Sequence, residues 1–180
     1  GSAPDYSTCS WTYENSTGEA ASFSAGGALD LSESFASAPT TGTYPFAVMI
    51  ISKDFNIKGK FGPVGGKTYY STTTFQTSST DIDDYATQVA PLNTFGGDDA
   101  CVAYTEGEVV TDGTISAYLL NSSGIILDSD SSLSECSGQE KLLGVMKMSS
   151  DLTNTDATAG VKKTFKFTNH GMRVVTNREG

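Results

Sequence analysis

The stretch Cys101–Asp130, CVAYTEGEVVTDGTISAYLLNSSGIILDSD, decides the fold. It breaks into apolar and β-branched runs separated by turn residues. Val102, Ala103 and Tyr104 lead to Glu106-Gly107. Val109 and Val110 lead to Thr111-Asp112-Gly113. Ile115 to Leu120 lead to Asn121-Ser122-Ser123-Gly124, and Ile125 to Leu127 follow. Asp-Gly and other Gly-terminated turns between β-rich runs are the strongest short-range hairpin signal in a sequence. The pattern predicts four short antiparallel strands in a meander, and a sheet protein around them.

Working outward toward the N-terminus, Tyr44–Ile51 (YPFAVMII) is a continuous apolar run. Continuous rather than alternating apolarity predicts a central strand buried on both faces. Ser52-Lys53-Asp54 turns it into a partner strand in which Phe55, Ile57 and Phe61 alternate with Asn56, Lys58 and Lys60. Ser79–Ala90 is the helix candidate. Ser79 or Thr80 caps it, Asp81, Asp83 and Asp84 suit its positive end, and Pro91 stops it. Its Ile82, Tyr85, Ala86 and Val89 form one apolar stripe at helical spacing. Ala21–Leu31 reads as one or two further strands.

Toward the C-terminus, Ser129–Gln139 reads as a loop, Lys141–Met148 as a strand and Ser149–Gly160 as a polar loop. Thr164–Thr168 and Met172–Thr176 read as a closing hairpin across Asn169-His170-Gly171. With many turns and no helical interleaving, the expectation is an all-β chain: an antiparallel β-sandwich or jelly roll of about ten strands with at most one or two short helices. The 180 residues suit a single domain over 1–180, with 1–19 as an irregular N-terminal arm.

Composition narrows the function classes. Only 18% of residues are charged, and 21 acids against 11 Lys and Arg leave a net charge of −10. That surface repels nucleic-acid phosphates and anionic lipids. No apolar run approaches the roughly 20 residues that span a bilayer, so no membrane insertion is expected. The basic residues gather weakly at Lys162, Lys163, Lys166, Arg173 and Arg178.

The three cysteines, Cys9, Cys101 and Cys136, include no Cys-x-x-Cys pair, and the one histidine, His170, is distant in sequence. A structural zinc site needs four gathered ligands, so no zinc is expected. A Ser/Thr/Gly-rich chain of this kind points to an extracellular or cell-surface protein, and to a disulfide in place of thiols. Of the three pairings, Cys101–Cys136 closes the meander. Its loop is worth roughly 3–4 kcal/mol by chain entropy. Cys9 is then left over, or joins another chain.

Chemistry-bearing motifs are few. Gly62–Thr68, GPVGGKT, is one residue short of a phosphate loop, and TYYSTTTF after it is strand-like where a phosphate loop needs a helix. His170 sits in a tight turn, which does not suit a catalytic base. Glu106 and Glu108, two apart on a strand, are the candidate carboxylate pair for a glycoside hydrolase. Acids cluster at Asp81–Asp84, Asp98-Asp99 and Asp128–Asp130, but none continues into a calcium loop. No metal or other cofactor is expected. Asn15-Ser16-Thr17 and Asn121-Ser122-Ser123 match glycosylation sequons. Trp11, Tyr13, Tyr69 and Tyr70 are the candidates for stacking on a sugar; the competing reading is that they pack on the sheet.

The expectation for function is a secreted or surface-displayed, non-catalytic sandwich protein with an adhesive or structural role. Its partners are other protein subunits or surface glycans. The alternatives are a carbohydrate-binding module and a β-fold hydrolase.

Overall fold

The structure, a computed structural model, describes residues 5–7, 9, 11, 12, 14, 40–75, 77–96, 100–110 and 112–155. Within these residues the protein is all-β. Nine strands form three sheets, and the helical content is one 3-10 turn. The strands are β1 (Gly42–Ser52), β2 (Asp54–Ile57), β3 (Lys60–Val64), β4 (Lys67–Ser71), β5 (Ser78–Ser79), β6 (Gln88–Pro91), β7 (Tyr104–Val110), β8 (Gly113–Leu120) and β9 (Lys141–Asn154). The chain divides into two compact units. One comprises residues 1–5 and 45–151, the other residues 6–44 and 152–180. In the second, the Asn154 amide is buried and donates to the Thr40 carbonyl at 3.2 Å, and the Tyr44 hydroxyl donates to the same oxygen at 2.6 Å.

The sheet that organises the first unit has the order β1-β9-β8-β7. β8 pairs antiparallel with β9 from Gly113↔Met148 to Leu120↔Lys141 without interruption. Residues directly opposite each other share a face. One face therefore carries Ile115, Ala117 and Leu119 beside Leu142, Gly144, Met146 and Met148. The other carries Thr114, Ser116, Tyr118 and Leu120 beside Leu143 and Val145. Tyr118, Leu119 and Leu120 are buried in succession, the two leucines completely. Burial on both faces thus belongs to the end of β8.

The run Tyr44–Ile51 does not have that role. Its strand, β1, stands at the end of the order, no residue in it is fully buried, and Phe46 is 51% exposed. Apolarity along a run shows what can be buried, but which strand is central is set by its neighbours, and β1 has one neighbour among the described strands.

The meander is simpler than four strands. β7 and β8 form one hairpin, closed where Val110 pairs with Gly113. Glu106-Gly107 is a bulge inside β7, not a turn. Before the hairpin Cys101 makes only a bridge to Asp130, and after it Ile126 makes only a bridge to Leu120. Side chains explain the shortening. The Thr94 hydroxyl accepts from the Val102 amide at 2.8 Å, and the Ser129 hydroxyl accepts from the Ala103 amide at 2.9 Å. With both amides satisfied by hydroxyls, what remains toward β8 is the Ala103 carbonyl, which accepts from the Leu119 amide at 2.8 Å. The turn after β8 forms as read: the Asn121 side-chain oxygen accepts from the amides of Ser123 and Ile125, each at 3.0 Å.

The predicted helix over Ser79–Ala90 is absent. Asp81 does cap a turn, accepting from the Asp83 amide at 3.0 Å, but the turn covers only Ile82–Asp84. The chain then extends, and Val89 and Ala90 pair with Asn56 and Phe55. Tertiary pairing of a β-branched residue overrides the helical stripe. It also takes β2 away from β1, its expected neighbour. In β2 the expected alternation holds for Phe55 and Ile57, the sheltered positions, but the strand ends there: Lys60 and Phe61 belong to β3, where Phe61 is exposed.

β4 follows Gly65-Gly66 directly, as a strand paired with β3 and β5. Ser129–Gln139 is irregular and holds Cys136. The strand predicted over Lys141–Met148 continues to Asn154, through residues expected to be loop. The expected strands in Ala21–Leu31 and the closing hairpin with His170 lie outside the described residues.

The core of the first unit sits under the Leu119 face. Cys101, Ala103, Leu119 and Cys136 are buried together, with Leu92, Phe95, Leu127 and Leu142 packed against them. Cys101 and Cys136 are joined in the expected disulfide, 3% and 5% exposed. Cys9 is outside this bond.

Candidate functional site

Among the described residues β7 ends the four-strand order, and its Tyr104, Val109 and Val110 are all exposed, Val109 at 84%. Such strands present unpaired backbone groups to solvent and are natural sites for recruiting another strand. The question is what the side chains around that edge do.

The register shows a bulge in its middle. Thr105 pairs with Ala117 and Glu108 with Ile115, so Glu106 and Gly107 together oppose the single residue Ser116. Gly107, the second of the two, has φ 74°, a left-handed value that glycine adopts without steric cost. The Gly107 amide, displaced from the ladder, donates to the Ser116 hydroxyl at 3.2 Å.

The bulge decides the carboxylate pair. In a regular strand Glu106 and Glu108 share a face. Here Glu108 stands opposite Ile115, on the Leu119 face. Glu106 accepts a hydrogen bond from the Tyr118 hydroxyl, on the other face, at 2.8 Å. The two acids therefore flank the sheet from opposite sides and do not face one cleft.

Tyr118 is buried, and its ring stacks on that of Tyr104, its cross-strand partner, with centroids 6.1 Å apart and planes 24° from parallel. Burial pushes the Tyr118 hydroxyl above its ordinary value of 10.0; the hydrogen bond to Glu106 and that carboxylate's charge add to it, while Ser116 opposes. The phenol thus stays protonated at neutral pH and donates to one oxygen of Glu106 while its ring stacks on Tyr104.

The aromatics singled out from sequence are not gathered in this unit. Tyr69 and Tyr70 are successive residues of β4 and so alternate between its faces. Tyr70 packs on Tyr85 at 5.3 Å, and Lys58 lies 4.5 Å over the Tyr85 ring. Trp11 is exposed and belongs to the second unit, and Tyr13 lies outside the described residues. The signal that sequence reasoning missed was Glu-Gly inside a β-rich run, which marks a bulge as readily as a turn.

The acidic clusters resolve into local structure. Asp81 caps its turn, and Asp130 accepts from the Ser132 hydroxyl at 2.6 Å and the Ser132 amide at 2.8 Å. Those two bonds hold the Asp130 carboxyl below its ordinary value. Asp98-Asp99 lies outside the described residues. Among the described residues no three His, Cys, Asp or Glu side chains gather to hold a metal ion, and no helix is long and apolar enough to cross a membrane.

No family model, no curated protein and no solved structure matches the chain.

Proposed function

We propose that the chain is a secreted or surface-displayed, non-catalytic β-sandwich protein with an adhesive or structural role, acting as a subunit of an extracellular assembly. The observation that carries this reading is the Cys101–Cys136 disulfide at the centre of the core. A core built around a disulfide belongs in an oxidising compartment. In the sandwich reading, Leu92, Phe95 and Leu127 come from the layer that covers the Leu119 face. The net charge of −10 favours protein or glycan partners over nucleic acid and anionic membrane. The open edge at β7 supports assembly.

The test has two parts. Light scattering on the full chain over a range of concentrations is expected to give a molar mass above that of one chain. Alkylation in the native source, before and after reduction, is expected to modify Cys101 and Cys136 only after reduction. A strict monomer at every concentration overturns the assembly reading. Alkylation of both cysteines without reductant overturns the compartment.

A further inference from the structure

We propose that Asn121 is an N-glycosylation site, and that its side-chain nitrogen carries an oligosaccharide in the native protein. The proposal rests on the extracellular reading, since this modification belongs to chains that pass through a secretory compartment. Of the two sequons, Asn15-Ser16-Thr17 lies outside the described residues. Asn121-Ser122-Ser123 opens the turn that follows β8.

The turn gives the two ends of the Asn121 amide different surroundings. Its Oδ1 accepts from the Ser123 and Ile125 amides, each at 3.0 Å. Two backbone donors aimed at one side-chain atom require oxygen there, so the nitrogen is the other atom. Among the described residues Nδ2 has no hydrogen-bond partner, and it is not buried: the one buried side-chain polar atom without a partner there is Gln139 Oε1. Asn93 and Asn154 differ in this respect. Their nitrogens donate inside the fold, to Glu135 and to the Thr40 carbonyl. Ser122 and Ser123 are exposed, so the rest of the sequon is open to solvent as well.

That geometry separates the modification from the fold. The Gly124 amide donates to the Asn121 carbonyl and the Asn121 amide to the Ile125 carbonyl, both at 3.0 Å. These bonds and the two to Oδ1 close the turn, and none of them uses Nδ2. In the transfer, Nδ2 bonds to the anomeric carbon of a lipid-diphosphate-linked oligosaccharide. The bond from that carbon to the diphosphate oxygen breaks, and Nδ2 gives up one proton to the departing diphosphate. The product keeps Oδ1 as an acceptor. A chain glycosylated before it folds therefore closes the same turn, with the sugar directed to water. A bulky, hydrated group there also keeps this end of β8 out of any subunit contact.

The experiment takes the full chain from its native source. Peptide mass spectrometry is run with and without a peptide-N-glycosidase, beside thiol alkylation before and after reduction. The peptide holding Asn121 is expected to carry a hexosamine-containing mass, which the enzyme removes while converting Asn121 to aspartate. Ser123→Ala keeps both backbone amides that donate to Oδ1 but breaks the sequon, and is expected to lose the whole of that mass. Asn121→Asp keeps an oxygen for both amides, and is expected to lose it too. An unmodified Asn121 in the native protein overturns the proposal, and so does a mass that persists in Ser123→Ala. An unmodified Asn121 beside cysteines that react only after reduction removes the glycan and leaves the extracellular reading standing. An unmodified Asn121 beside free thiols at Cys101 and Cys136 removes both.

Discussion

The Tyr118 hydroxyl donates to Glu106 across 2.8 Å, joining a buried phenol on the inner strand of the hairpin to an exposed carboxylate beside the bulge. This bond anchors the outer strand just where its ladder is interrupted, and it ties the state of the edge to pH.

Tyr118→Phe removes the bond and leaves Glu106 in water, where it is readily solvated. The expected loss is about 1 kcal/mol at neutral pH. The wild-type phenol has a folded value raised above 10.0, so its contribution is complete below the unfolded value and is lost as pH rises through the folded one. Urea unfolding between neutral pH and pH ~11 is expected to show that alkaline loss in the wild type and a flatter profile in Tyr118→Phe.

Two glycines in the same sheet should respond oppositely to a methyl group. At Gly113, φ is 153° and an added Cβ falls 2.0 Å from the Lys147 carbonyl oxygen. Gly113→Ala is expected to cost roughly 3 kcal/mol or more, through backbone strain and displacement of β9. At Gly144 the nearest atom to an added Cβ is the Met49 carbonyl oxygen at 3.9 Å, ordinary contact. Gly144→Ala is expected to stabilise by about 0.5 kcal/mol, because the unfolded chain loses freedom. Thermal melts of both variants check the contrast.

The disulfide closes a separation of 35 residues. Replacing Cys101 and Cys136 together by alanine is expected to cost roughly 3–4 kcal/mol, a fall in Tm of about 10 °C for a chain of this size. Calorimetry of the double variant, compared with reduced wild type, measures it. Cys9→Ser is the control, since Cys9 stands outside this bond.

Asp130 gives the acid-side counterpart. Its carboxyl is held low by two bonds from Ser132, so its contribution is present above the unfolded value and is lost as pH falls through the folded one. Ser132→Ala removes the hydroxyl bond and keeps the amide bond. Carboxyl titration by NMR is expected to place Asp130 below 3.8 in the wild type, and higher in Ser132→Ala.

Much of the fold is legible along the chain, for a local reason. Val110 to Gly113 and Asn121 to Gly124 reverse the chain because Gly and Asn bring their own conformational freedom and hydrogen bonds, whatever surrounds them. Phe55 and Ile57 alternate because the pleat does. The pairing of Cys101 with Cys136 follows from which loop it closes. The candidate site was less legible. Glu106 and Glu108 are two apart in sequence, yet one extra residue opposite Ser116 puts them on opposite faces.

By itself, then, the sequence determined an all-β chain, its main turn positions and its covalent staple, because each depends on residues close together or on the rarity of cysteine. Only the tertiary structure decided that β2 pairs with β6, that the end of β8 is buried on both faces, and that the helical stripe at Ile82–Val89 gives way to a 3-10 turn at Ile82–Asp84 and a strand from Gln88. Strand order is settled by which distant apolar surfaces exclude water together. No local pattern records that choice: the continuous apolar run Tyr44–Ile51 is only partly buried, while the end of Ile115–Leu120 is buried on both faces.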